Sequence, residues 1–339
     1  NSTLTNAGTG SNLTLEGTVE CDASIMDGEK LLYGAAGCIS GVKNPIDLAH
    51  LLLQKQGEGK LSLGRIPPSV LVGKGAVQWA SKHGLNMSEQ HDLITESSLS
   101  TYRSHKRKLE MHSNRNSKKR SKKEATTNGS KQFSGSESDE NSSVDSTSTS
   151  VDTEGMVAKD LCRSPAPSTQ SAIQDTVGAV AMDCHGNLAA GVSSGGISLK
   201  QPGRIGPAAT YGAGCWAHNW KSDNQPGVAI ATSGSGEQLM YTSLAKECAR
   251  CLQNQEDAIK GMLSGIKDKF LDSEFLEKED EKFAGVIALR QEKQDASDNV
   301  ELLWGHTTDS MCIAYVTSSQ LKPKVFSYIK VMLKRGIGD

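Results

Sequence analysis

The run Asp175-Thr176-Val177-Gly178-Ala179-Val180 places a hydroxyl-bearing residue at the head of a strand-like apolar segment, directly after a long polar stretch. A cut on the N-terminal side of Thr176 would leave one residue that carries both a hydroxyl nucleophile and its own base. An α-amine titrates at about 7.7–8.0, near working pH, whereas a lysine amine at about 10.4 stays protonated. Such a residue can attack a carbonyl while its amine takes and returns the proton. The first carbonyl within reach is that of Asp175, so the same hydroxyl could open the bond that frees it. Taken alone, the hexapeptide reads equally as an ordinary Thr that opens a β-strand.

More follows in order along the chain. Asp183-Cys184-His185-Gly186-Asn187 has the composition of a hairpin turn, and it leads into Leu188-Ala189-Ala190-Gly191-Val192-Ser193-Ser194-Gly195-Gly196. Pro202-Gly203-Arg204-Ile205-Gly206 and Thr232-Ser233-Gly234-Ser235-Gly236-Glu237 come next. Upstream stand Asn6-Ala7-Gly8-Thr9-Gly10-Ser11-Asn12 and Glu20-Cys21-Asp22-Ala23-Ser24-Ile25-Met26-Asp27-Gly28; near the other end is Trp304-Gly305-His306-Thr307-Thr308-Asp309-Ser310-Met311-Cys312. Together these pieces resemble the type 2 asparaginases, a family of N-terminal nucleophile hydrolases, and within it the threonine-aspartase branch. The resemblance covers roughly residues 1–110 and 172–316.

What the resemblance implies can be carried over residue by residue. Thr176 is the nucleophile, and Asp175–Thr176 is the bond opened by self-cleavage. Ser194, eighteen residues later, stands where the family uses a hydroxyl to hold the nucleophile. Ser233 and Gly234 match the oxyanion-stabilising positions, with Asn6 a second oxyanion candidate whose alternative is a loop-capping Asn. Arg204 is the anchor for a substrate carboxylate, which a planar guanidinium grips through two parallel hydrogen bonds. Asparaginases place an acid three residues after this Arg to bind a free α-amine, and here that position is Pro207. Its loss favours an endopeptidase acting at Asp over a small-molecule amidase or isoaspartyl peptidase; an unprocessed, non-catalytic form is the third reading. The expected partners are protein substrates with Asp at the cut, and the expected assembly is an αβ heterodimer pairing into a dimer of heterodimers.

Composition narrows the field further. Net charge is −2 over 339 residues, which gives no global argument for nucleic-acid binding. The glycine-rich pieces lack the Lys-Ser/Thr pair of a phosphate loop, and no His/Cys/Asp cluster has ligand spacing, so neither cofactor nor metal is expected. The eight cysteines show no disulfide rhythm; Cys248 and Cys251 form a C-x-x-C in what reads as mid-helix, and all eight read as reduced thiols. No apolar run is long enough to cross a membrane. Residues 100–172 hold almost no apolar clustering and split by charge, basic first and then Ser-rich and acidic. Such composition cannot offset chain entropy by burial and predicts a disordered loop. Lys106-Arg107-Lys108 and Lys118-Lys119-Arg120 match a bipartite import signal, which predicts an import-receptor partner and a nuclear as well as cytoplasmic location; a merely solvated basic tract is the alternative.

The elements that must position these residues follow from periodicity. Residues 15–27 and 30–39 read as a hairpin, 45–55 as a helix opened by Asn44-Pro45, and 75–83 as a second helix. Strands are predicted at 177–183, 187–194, 228–233, 285–289, 302–306 and 312–317. Helices are predicted at 236–253, with Leu239, Leu244, Ala245, Cys248 and Leu252 inward, and at 257–270. Helices flanking many strands argue an α+β fold; the resemblance implies the four-layer αββα sandwich. Its subunits would be 1–99 with the loop 100–172 and the cut end 173–175, then 176–320, followed by a divergent tail at 321–339. The family's first strand and helix would precede Asn1, which predicts that this sequence is a fragment or an incomplete gene model.

Overall fold

The computed structural model describes residues 5–128, 176–221, 225–292, 299–329 and 334–337, with backbone only over 116–128, 328–329 and 334–337. The chain divides into two units, residues 1–99 with 172–339, and residues 100–171.

The first unit is built on two five-stranded sheets. β1 (Cys21–Asp27) and β2 (Leu32–Ile39) form the predicted hairpin. β3 (Val70–Val72) lies parallel to β2, while β4 (Val177–Met182) and β5 (Leu188–Ser194) are antiparallel neighbours. The order is β3-β2-β1-β5-β4. The second sheet holds β6 (Cys215–His218), β7 (Gly227–Gly234), β8 (Ala284–Glu292), β9 (Asn299–His306) and β12 (Lys334–Ile337), in the order β12-β9-β8-β7-β6. β10 (Ser310–Tyr315) and β11 (Lys324–Ile329) pair separately.

The two sheets pack face to face through β1, β4 and β5 against β6, β7 and β8. Small side chains such as Ala35, Ala190, Ala217, Ala229 and Ala231 fill much of that interface, together with Met26, Leu188 and Val192. A strand covered on both faces cannot alternate, so β7 begins Gly-Val-Ala-Ile-Ala-Thr, with all six of these residues buried. On the outer face of the first sheet lie α1 (Pro45–Gly57) and α2 (Gly73–Lys82). α1 buries Pro45, Leu48, Ala49 and Leu52, the one-face spacing of an amphipathic helix. Asn44 does not cap it as predicted; its amide donates to Asp47 Oδ2 at 3.0 Å.

Outside the second sheet lie α4 (Gly236–Thr242), α5 (Leu244–Asn254) and α6 (Ala258–Ile266), the last continued by a π-turn at Lys267–Leu271. All five inward residues predicted for 236–253 are buried. That helix is nonetheless broken by Ser243, whose left-handed φ of 47° turns the chain between α4 and α5. Phe270 is fully buried in this outer core, and truncation there to Ala would cost about 3–5 kcal/mol. The layers are therefore helix, sheet, sheet, helix.

One expectation is corrected. The disordered loop predicted from residue 100 onward is helical over its first part, α3 (Glu96–Asn128). Thr95 and Ser98 form a reciprocal cap, Ser98 N donating to Thr95 Oγ1 at 3.2 Å and Thr95 N to Ser98 Oγ at 3.1 Å. Past this cap the sequence is rich in Lys and Arg, good helix formers that need no buried face. Both basic triplets, Lys106–Lys108 and Lys118–Arg120, lie on this helix, and residues 129–175, including Asp175, lie outside the described residues. The tail predicted as divergent contributes β11 and β12, the latter to the second main sheet. No described helix is long and apolar enough to cross a membrane.

Candidate active site

The antiparallel register of β4 and β5 sets Val177 opposite Ser193, which brings Thr176, just before β4, beside Ser194 at the end of β5. Thr176 Oγ1 donates to Ser194 Oγ at 3.0 Å. Ser194, itself 5% exposed, also accepts from Gly196 N at 3.1 Å, so its oxygen holds the Thr hydroxyl from one side and the following turn from the other. The turn Asp183–Asn187 does this work from a distance. Asp183 Oδ1 accepts from the N–H of His185 and Asn187, both at 2.8 Å, closing the far end of the hairpin and fixing the register.

Thr176 and Ser194 line a cavity of about 130 Å³ together with Asn6, Asn12, Asp22, Ile197, Arg204, Pro207 and Gly234. Asn6 is 4% exposed and already engaged: its Nδ2 donates to Gly196 O at 2.8 Å, and its Oδ1 accepts from Asn12 N at 3.0 Å. Asn12 Nδ2 donates to the same Gly196 carbonyl at 2.9 Å. Gly234 ends β7 with φ at +148°, and a Cβ there would lie 2.2 Å from Phe283 O. Only glycine fits, and Gly234 forms part of the cavity wall; Ser233 sits one residue back on the strand, half-buried.

Arg204 stands on a loop tied down by two carboxylates of β1 and its approach. Gly203 N donates to Glu20 Oε2 and Gly206 N to Asp22 Oδ2, each at 2.8 Å. Asp22 Oδ1 takes a third N–H, from Cys38, at 2.8 Å. Burial pushes the Asp22 carboxyl above the usual carboxylate range, offset in part by the Lys200 ammonium and by these N–H donors. The Arg204 guanidinium is gripped side-on by Glu237, Nε to Oε1 at 2.9 Å and Nη2 to Oε2 at 2.5 Å. Pro207 is buried in the cavity wall.

The structure thus gathers Thr176, Ser194, Gly234, Asn6 and Arg204 around one cavity, with Ser233 beside it. Sequence reasoning did not single out Asn12 and Asp22, which line the cavity, or Glu237, which clamps Arg204. Asp22 and Glu237 were legible only as parts of quoted motifs; nothing local says that a carboxylate will brace a loop or clamp an arginine. No cluster among the described residues could hold a metal ion.

Comparison with known proteins gives the same setting. Isoaspartyl peptidase/L-asparaginase of Rattus norvegicus is 32% identical over 241 residues, 71% of this chain and 51% of that protein. Its Bos taurus counterpart is 31% identical over 267 residues, 78% of this chain and 64% of the other. A probable isoaspartyl peptidase/L-asparaginase 2 of Arabidopsis thaliana is 28% identical over 323 residues, 91% of this chain and 76% of the other. The chain thus spans about half to two thirds of the length of the first two relatives. A family model described as asparaginase matches residues 1–325, which takes in every residue of the cavity wall and all of both sheets except β12. With its hydroxyl pair at the head of a two-sheet sandwich, the chain belongs to the type 2 asparaginase family of N-terminal nucleophile hydrolases.

Proposed function

We propose that this chain is an autoprocessing threonine endopeptidase that cleaves nuclear regulatory proteins after Asp, activated by its own cleavage between Asp175 and Thr176. The observation that carries the reading is the Thr176–Ser194 hydroxyl pair at 3.0 Å, facing a cavity whose wall offers Arg204 and has Pro207 in place of an acid. A mid-chain Asp presents a carboxylate and no free α-amine, which is what such a wall accepts.

The steps are as follows. Thr176 Oγ1 attacks the Asp175 carbonyl carbon; the C–N bond breaks, the nitrogen takes the hydroxyl proton, and an ester joins Asp175 to Thr176 Oγ1. Water hydrolyses that ester, leaving the Asp175 carboxylate, the restored hydroxyl and a free Thr176 amine. The same hydroxyl then attacks a substrate carbonyl while the amine carries the proton to the leaving nitrogen. Ser194 orients the hydroxyl. Donors from Ser233, Gly234 and the Asn6 amide stabilise the oxyanion, each worth about 2.7–4 kcal/mol in such sites.

The basic triplets Lys106–Lys108 and Lys118–Arg120 on α3 support an import receptor as partner and a nuclear location, and the family supports pairing of two αβ units. A second reading, an asparaginase or isoaspartyl peptidase, is favoured by the printed activities of the relatives. Incubating the purified chain with an Asp-containing peptide, its Asn counterpart and free L-asparagine separates the two. New peptide termini after Asp with no ammonia from asparagine are expected. Ammonia release with an intact Asp peptide would establish the second reading, and no reaction on any substrate would leave the chain a non-catalytic form.

A further inference from the structure

The turn that follows Ser194 is held by a loop whose Asn6 lies 190 positions away. Gly196 N donates to Ser194 Oγ at 3.1 Å, and the same oxygen accepts from Thr176 Oγ1 at 3.0 Å. The direction of one glycine N–H therefore bears on the nucleophile. Gly196 sits at a φ of +75°, and a residue without a Cβ leaves its peptide planes free to rotate where others are confined. Something must fix it. Two amide side chains do so: Asn6 Nδ2 and Asn12 Nδ2 donate to Gly196 O at 2.8 and 2.9 Å, one for each lone pair.

The orientation of both amides follows from their neighbours. A carbonyl oxygen only accepts, so nitrogen faces it in each, and Asn12 N donates in turn to Asn6 Oδ1 at 3.0 Å. The loop is also pressed against the turn. Gly195 N donates to Asn6 O at 2.8 Å, and a Cβ on Gly195 would lie 2.5 Å from Asn6 Oδ1 and 2.7 Å from Ser11 Cβ. Asn6 is buried, whereas Asn12 is half-buried in the cavity wall. One donor already satisfies the carbonyl. The second, from a half-buried side chain, adds little net stability, and what it adds is direction.

We propose that Asn12 is a positioning residue for the nucleophile. Its amide pins the carbonyl side of Gly196, so the N–H on the other side stays aimed at Ser194 and holds Ser194 Oγ where the Thr176 hydroxyl meets it. Asn12 touches no reacting atom and acts through Gly196 and Ser194 alone. This inference rests on the reading of Thr176 as the nucleophile and holds for either class of substrate.

The test compares the full chain with its Asn12→Asp and Asn12→Leu variants on an Asp-containing peptide. At about pH 8 both are expected to lower kcat about tenfold, with KM changed less than about threefold. As pH falls toward about 5, the carboxyl of Asn12→Asp, facing a carbonyl oxygen, takes up a proton and can donate it to Gly196 O. Its kcat relative to the wild type should then recover about threefold or more, and that of Asn12→Leu should not. Unchanged kcat, a loss that falls on KM, or the same pH course in both variants would overturn the proposal while leaving the endopeptidase reading intact. If the wild type leaves the Asp peptide whole but releases ammonia from L-asparagine, that reading fails, and the same variants are scored on kcat for asparagine. Crystal structures of the wild type and of Asn12→Leu need no turnover. The separation of Thr176 Oγ1 and Ser194 Oγ is expected to widen in the variant from 3.0 Å to beyond about 3.5 Å. An unmoved pair would refute the assignment, even in a chain that acts on neither substrate.

Discussion

Two arginines in this molecule stand beside cavities and carboxylates, and they differ in what is left to offer. The Arg290 side chain on β8 is 3% exposed; its Nε donates to Leu252 O at 3.1 Å and its Nη2 to Gln255 O at 2.8 Å and Glu256 O at 3.2 Å. Glu292 and Glu301 complete its surroundings at 2.5 and 3.4 Å. The Arg204 side chain is 18% exposed, is clamped by Glu237 and turns Nη1 toward the cavity wall. The cavity beside Arg290 is the larger, about 320 Å³ against about 130 Å³ beside Arg204. Volume is thus a poor guide to function here. Arg290 spends its donors fastening the α5–α6 junction to the second sheet, whereas Arg204 keeps one edge for something else.

The largest expected effect tests the site that Arg204 serves. Thr176→Ala removes the proposed nucleophile, so turnover should vanish and the chain should stay in one piece; an active variant, assayed on the Asp peptide, would break the comparison at its root. Next comes the pair itself. Arg204→Met should lower kcat/KM on the Asp peptide by about 10²–10³-fold, as loss of a bidentate-capable cation implies, with little change in melting temperature. Arg290→Met should do the reverse: it leaves Glu301, 6% exposed, without its cation and should cost about 3–5 kcal/mol of stability in a denaturant titration, with kcat/KM unchanged in the folded fraction. Similar stability losses in both would erase the distinction.

Ser194→Ala should be milder, lowering kcat about 10- to 100-fold by freeing the Thr176 hydroxyl from its 3.0 Å partner. Thiol labelling offers a smaller, sharper readout. Cys184 and Cys312 are exposed, Cys248 and Cys251 are buried on α5, and burial pushes the Cys215 thiol up to about 12. Alkylation near pH 8 should mark Cys184 and Cys312 in the wild type and in Arg204→Met, and should add Cys248 and Cys251 only in Arg290→Met, where their helix loosens.

The smallest effect concerns pH. Burial raises the Asp22 carboxyl above its ordinary value of 3.8. A carboxyl that holds its proton more tightly when folded supports stability below the unfolded value and loses that support as pH rises through the folded one. Measured against the wild type, Asp22→Asn should gain melting temperature as pH climbs from 3.8, and a constant difference across the acid range would contradict the assignment.

Much of the frame was legible because it is written in periodicity. α1 opens at Pro45 and buries every third or fourth residue, and the β4–β5 hairpin announces itself through the Asp183–Asn187 turn. That hairpin alone fixes the eighteen-residue return that sets Ser194 beside Thr176. What escaped has a common cause. β3, β6 and β12 are only three or four residues long, too short to show a period, and β12 owes its place to β9, a partner with other strands in between. α3 was missed because absence of a buried face was taken as absence of structure, although the Thr95–Ser98 cap was in plain sequence view. Glu237 and Asp22 act through contacts to residues 33 and 184 positions away, and each looked like an ordinary motif neighbour.

The central claim is that Thr176 becomes the N-terminal nucleophile by opening the bond before it. Intact mass and N-terminal sequencing of the purified wild-type chain and of Thr176→Ala test it most directly. The wild type should yield two fragments, the second beginning Thr-Val-Gly-Ala-Val, and the variant a single chain. A wild-type chain that stays whole, or a variant that still divides at the same bond, would contradict it.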